Sequence, residues 1–143
     1  MSGVIDGADI GLDLALAVVE AARAESVRQG HLMSICVADR SGSPVATSRM
    51  DGSPLGAYFI AVDKAYSSAL WQARTGEMGT ITVPGEGDWG FANTIGGRMI
   101  VFAGGVPIRR DGVFIGALGI SGALSEEDEA VGLAALASLG LEG

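Results

Sequence analysis

The stretch Met99-Ile100-Val101-Phe102-Ala103-Gly104-Gly105-Val106-Pro107-Ile108-Arg109-Arg110-Asp111-Gly112-Val113-Phe114-Ile115-Gly116-Ala117-Leu118-Gly119-Ile120-Ser121-Gly122 decides the fold. Asp111-Gly112 is the pair that a two-residue hairpin turn requires, because both of its central residues take positive φ. Residues 113–120 read as the return strand, and Ser121-Gly122 ends it. On the outgoing side Met99 to Ala103 reads as a buried strand by composition, with a sharp turn at Gly104-Gly105-Val106-Pro107 before the hairpin.

Working back along the chain, Met33 to Asp39 and Val45 to Met50 read as a second hairpin around the turn residues Arg40-Ser41-Gly42-Ser43-Pro44. Residues 8–29 read as a helix, with Ile10, Leu14, Val18 and Ala21 at helical spacing, Asp6 or Asp9 at its start and Gly30 just past its end. A second helix is expected over about 55–74, with Tyr58, Val62, Ala65 and Ala69 on one face. A third is expected over 125–138, opened by Ser125-Glu126-Glu127-Asp128, a capping box with aspartate in place of glutamate. Residues 75–96 are irregular and glycine-rich, yet Trp89 and Phe91 argue against disorder there. The order helix, hairpin, helix, long loop, hairpin, helix is that of an α+β domain, an antiparallel sheet with helices packed on it.

The 143 residues make one domain, 1–143, with no internal repeat and no linker. With 9 basic and 17 acidic residues the formal charge is −8, which leaves no electrostatic footprint for nucleic acid and opposes an anionic membrane. No apolar run approaches the length of a membrane span, and Met1-Ser2-Gly3-Val4-Ile5-Asp6 lacks the basic start of a signal peptide, so the expected location is the cytosol. Cys36 has no second cysteine to pair with, and a single His31 beside it provides neither a zinc cluster nor a catalytic triad. Cys36 reads as a small core residue and His31 as a surface one. Hydrophobic residues at 48% against charged residues at 18% imply apolar surface covered by copies of the same chain.

Candidate chemistry falls in four places. Arg49 and Asp51 flank a strand end just before a helix; they are placed to hold a carboxylate or phosphate and to move a proton, or else simply to fix the turn. Lys64, mid-helix among apolar neighbours, is a candidate base or Schiff-base amine, a ligand or subunit contact, or a structural ion-pair partner. Trp89, Phe91 and Asn93 are positioned to cover a flat apolar ligand with one hydrogen bond, or to pin their loop. Gly104 and Gly105 offer backbone amides to an anion or oxyanion, or serve only the bend; with no Gly-Lys-Ser/Thr following, this is not a nucleotide phosphate loop.

Read in order, Val37-Ala38-Asp39 with Gly42, Arg49-Met50-Asp51-Gly52, Ala61 with Lys64-Ala65, Thr75, Gly104-Gly105-Val106-Pro107-Ile108, Asp111-Gly112, Ile115 to Gly122 and Glu127-Asp128-Glu129 resemble the GlcG/HbpS family, also met as the C-terminal domain of PduO-type proteins. The resemblance covers roughly residues 10–137. It implies a profilin-like or PAS-like fold with a five-stranded antiparallel sheet flanked by helices, and a homo-oligomer, commonly an octamer. It implies haem as a possible cofactor, since some relatives bind or degrade it. It assigns no axial ligand here; His31, Met50, Tyr58 and Tyr66 are the donors in view, and His31 lies outside the shared motifs. Two functions follow. One is an oligomeric binding protein for haem, another tetrapyrrole or a similar planar or anionic compound. The other is a cofactor-free isomerase, lyase or cyclase acting on a small carbonyl or carboxylate through Arg49, Asp51 and Lys64.

Overall fold

The structure, a computed structural model, describes residues 3–143; the first two residues of the stretch read for a signal peptide lie outside it. The elements are α1 (Leu12–Gln29), β1 (Ser34–Ala38), β2 (Pro44–Arg49), α2 (Leu55–Trp71), a short α3 (Thr75–Met78), β3 (Gly105–Arg110), β4 (Val113–Ser121) and α4 (Ser125–Ser138). Three single 3-10 turns lie between α3 and β3. The strands form one antiparallel sheet in the order β2-β1-β4-β3. Helices α1 and α4 pack together on one face and α2 crosses the other, mainly over β1 and β4. None of the described helices is long and apolar enough to cross a membrane.

Local chemistry explains most of these elements. Asp111 and Gly112 both take positive φ, so the β3–β4 turn is the tight form that the Asp-Gly pair requires. Gly30 ends α1 in the left-handed conformation, and the next amide, that of His31, bonds back to the Ser26 carbonyl. At the β1–β2 turn Asp39 accepts hydrogen bonds from the Ser41 amide and hydroxyl and from the Ser43 amide. All five residues of β1 are buried, with no alternation, because helices cover both faces of this central strand.

The described residues form four strands, not five. Met99 to Ala103 is buried in part but joins no strand. Its polar and apolar groups are met by helices instead: the Ile100 amide donates to the Ser67 hydroxyl of α2 at 2.9 Å, and Met99 sulfur accepts from the Trp71 indole. Helix α1 starts four residues later than its apolar spacing suggests. Asp9 caps no helix; its carboxylate takes the amides of Ile10 and Arg40, and the Ile10 amide also bonds to the Ile115 carbonyl. Helix α2 ends at Trp71 because Gln72 turns left-handed. In α4 the box residue is Glu127, which accepts the Leu124 amide at 3.1 Å, while Asp128 is turned inward.

The layer between the sheet and α2 is made of small residues, Cys36 and Ala38 of β1 and Ala61 and Ala65 of α2. Cys36 is fully buried there, and burial pushes its thiol up to about 12. The native protein is therefore expected to leave a disulfide reagent such as Ellman's unreacted at pH 8, and to release one thiol per chain only in denaturant. Rapid stoichiometric reaction of the native protein would show that α2 does not cover β1 as described.

Candidate functional site

Helix α2 carries Trp71 as its last residue, and the left-handed Gln72 reverses the chain there. The reversal is pinned twice: Arg109 of β3 donates to the Gln72 carbonyl at 2.8 Å, and Ser68 donates to that of Ala73 at 2.8 Å. Residues 79–98 then fold as a succession of tight turns. The amides of Glu86, Trp89, Phe91, Asn93, Thr94 and Gly97 each bond to the carbonyl three residues back. The glycines make this possible; Gly90, for example, takes φ +91°, which places Phe91 back against α2. The Phe91 ring lies 5.5 Å from that of Trp71, tilted by 58°. Between them and α3 is a pocket of about 690 Å³, with Met78, Ile81 and Ile95 completing its apolar wall and Asp88 at its rim. Its volume lies in the ~300–1,000 Å³ range of small-molecule sites.

The sequence candidates are distributed unequally over this pocket. Phe91 lines it. Trp89, 66% exposed, lines a shallower neighbour of about 260 Å³ that shares Asp88 and Phe91. Asn93 lines neither. Sequence reading passed over Trp71, Met78, Ile81, Ile95 and Asp88. Trp71 did carry a signal: a tryptophan at the end of an otherwise alanine-rich face is larger than helix-on-sheet packing needs.

Lys64 is 1% exposed and lines no pocket. Its ammonium donates to Asp128 Oδ2 at 2.7 Å and to the Ile120 carbonyl at 2.9 Å, and faces the Phe102 ring at 5.2 Å. Asp128, 2% exposed, uses Oδ1 to accept the Ala123 amide at 2.9 Å. The pair ties α2 to the first turn of α4. Burial pushes the Lys64 ammonium down and the Asp128 carboxyl up, and their mutual hydrogen bond and charge offset part of each shift.

Gly104 and Gly105 are part of the same arrangement. They are not a free turn: β3 begins at Gly105, whose amide donates to the buried Thr75 hydroxyl at 2.9 Å. Gly104 takes φ +126°, and a Cβ there would lie 2.7 Å from the Ile120 carbonyl and against the Lys64 ammonium. A Cβ at Gly105 would lie 2.5 Å from the Lys64 carbonyl. The two glycines make room for α2 and its lysine.

Arg49 and Asp51 are exposed at the end of the edge strand β2 and in the turn after it, and neither forms an ion pair among the described residues. Neither lines either of the two pockets, and nor does Lys64. The imidazole of His31 is 20% exposed and lies 3.4 Å from Glu127 Oε2. No group of three or more His, Cys, Asp or Glu among the described residues could hold a metal ion.

A family model described as haem degrading protein HbpS-like matches residues 10–137. The chain is 30% identical over 105 residues to the corrinoid adenosyltransferase PduO of Salmonella typhimurium, covering 73% of this chain but 31% of that protein. It thus spans about a third of that relative. It is 30% identical over 129 residues to an uncharacterized 15.0 kDa protein of Citrobacter freundii, from the dhaT-dhaS intergenic region, covering 90% of this chain and 91% of that one. Among solved structures, that of a PduOC–haem complex superposes with a TM-score of 0.88 at 26% identity, covering 93% of this chain and 96% of that one.

Proposed function

The chain belongs to the HbpS-like family, and from that membership we propose that it is a homo-oligomeric small-molecule-binding protein whose ligand occupies the pocket between Trp71, Phe91 and α3. The observation that carries the reading is the pocket itself: about 690 Å³, walled by aromatic and aliphatic side chains, in a segment whose turns are closed by backbone hydrogen bonds. The oligomer rests on the outer face of α2 and its surroundings, where Leu55, Phe59, Ile60, Leu70 and Phe102 are all at least one-third exposed. Apolar side chains exposed together are what a surface suited to association offers. An octamer is the size that the family resemblance implies.

Haem is the compound held in the PduOC complex. The size and apolar wall of the pocket suit a flat macrocycle, but its donors do not suit ligated haem. The lining contains no imidazole, thiol or phenol, only the Met78 thioether, and no lysine or arginine to meet propionates. His31 lies elsewhere, beside Glu127. The pocket is therefore assigned to binding, without a ligated haem iron.

Native mass spectrometry of the purified protein tests the reading. A multiple of the chain mass is expected, carrying a bound small molecule that Trp71→Ala and Phe91→Ala lose. Bare monomers of both wild type and variants would overturn it. Haemin added in parallel is expected to give no saturable Soret shift attributable to the pocket. A stoichiometric shift abolished by Trp71→Ala would put haem there.

A further inference from the structure

Resting on that pocket as the ligand site, the geometry points to an organic cation with an apolar body as the ligand class, and we propose that Asp88 selects its charge. Asp88 is the one charged residue on the lining. Among the described residues it has no ion-pair partner, so its carboxylate is not already neutralised by the protein. The basic side chains nearest in sequence and fold are engaged elsewhere. Arg74 pairs with Glu129 at 3.6 Å, Arg98 with Asp63 at 2.9 Å while stacking on Tyr66, and Arg109 donates to the Gln72 carbonyl. Trp71 and Phe91, the two rings of the aromatic corner, line the same space as Asp88.

Every electrostatic element of the site thus has one sign. The lining carboxylate and a chain of formal charge −8 both favour a cation and oppose an anion. The wall formed by Met78, Ile81 and Ile95 has no polar group to match, which calls for an apolar body on the ligand. The remaining polar side-chain groups of the lining are the Thr82 and Thr94 hydroxyls, bonded to the Gly79 and Phe91 carbonyls, and the Trp71 indole N–H, which donates to Met99 sulfur. None of the three is left to hold an anion. A phosphate or carboxylate compound would enter this pocket against its own field.

Isothermal titration of the full-length protein with three bicyclic probes of similar size tests the assignment: N-methylquinolinium, neutral quinoline and naphthalene-2-sulfonate. The cation is expected to bind about tenfold more tightly than the sulfonate, with quinoline between them. The preference is expected to shrink as salt is raised from low to physiological concentration. Asp88→Asn, an exposed position, is expected to erase most of the preference by weakening the cation and strengthening the sulfonate. Binding of the sulfonate as tight as that of the cation, or an unchanged ratio in Asp88→Asn, overturns the cation assignment and leaves the pocket a binding site. No heat from any probe, with Trp71→Ala indistinguishable from wild type, overturns the pocket reading itself.

Discussion

Lys64→Met is expected to lower the stability of the protein by about 3–5 kcal/mol, the cost of leaving one charge of a buried pair without its partner. The ammonium and the Asp128 carboxylate are both almost wholly enclosed and 2.7 Å apart. Removal of the lysine also leaves the Ile120 carbonyl without its donor. The decisive comparison is with the double variant Lys64→Met, Asp128→Asn. The asparagine oxygen still accepts the Ala123 amide, but no net charge is buried. Because burial works against the charged form of both partners, the double variant is expected to recover a substantial part of the loss. Urea unfolding at one fixed protein concentration measures both, since assembly makes apparent stability concentration-dependent. A loss under about 1 kcal/mol for Lys64→Met, a value typical of exposed pairs, would mean that the pair is not sealed.

Gly119→Ala is expected to cost about 3 kcal/mol or more, and Gly56→Ala to have the opposite sign. At Gly119 a Cβ would be driven into the Ala61 carbonyl and would lie 2.5 Å from the Ala65 nitrogen, so the obstacle is helix backbone with no flexible end to move. Helix α2 would have to lift off β4, opening the layer formed by Cys36, Ala38, Ala61 and Ala65. At Gly56, in the first turn of α2, a Cβ meets nothing within 4 Å. There the new methyl only restricts the unfolded chain and favours the helix, worth about 0.5–1 kcal/mol. Circular dichroism melts at matched concentration report both signs. Wild-type stability in Gly119→Ala would show that α2 stands further from the sheet than this structure places it.

These two sites show how far sequence reading reached. The α2 helix and the β4 strand were both legible, from alanine periodicity and from the Asp-Gly turn. Their distance apart was not, because glycine in a strand is equally consistent with a bulge, a bend or a close approach. Lys64 was recognised as anomalous by its apolar neighbours, but its partner lies 64 residues away in the chain. Asp128 looked like an ordinary first-turn acid, since acids at that position are favoured by the helix dipole whether or not anything faces them. The pocket was half legible: its aromatic, glycine-rich loop stood out, and Phe91 is in its wall, but the opposing wall comes from the end of α2 and from α3.

What the sequence determined by itself is the order of helices and hairpins, the turn at 111–112, the end of α1 and the family. Each rests on interactions between residues a few positions apart, or on an ordered set of short motifs. Tertiary structure alone decided that Met99 to Ala103 lies against α2 and leaves a four-stranded sheet, that Gly104 and Gly105 make room for a lysine, and which side chains enclose the pocket. An apolar run or a glycine pair states that something packs closely there. Which element does so depends on how the layers stack, and that is settled only when the whole chain has buried its faces.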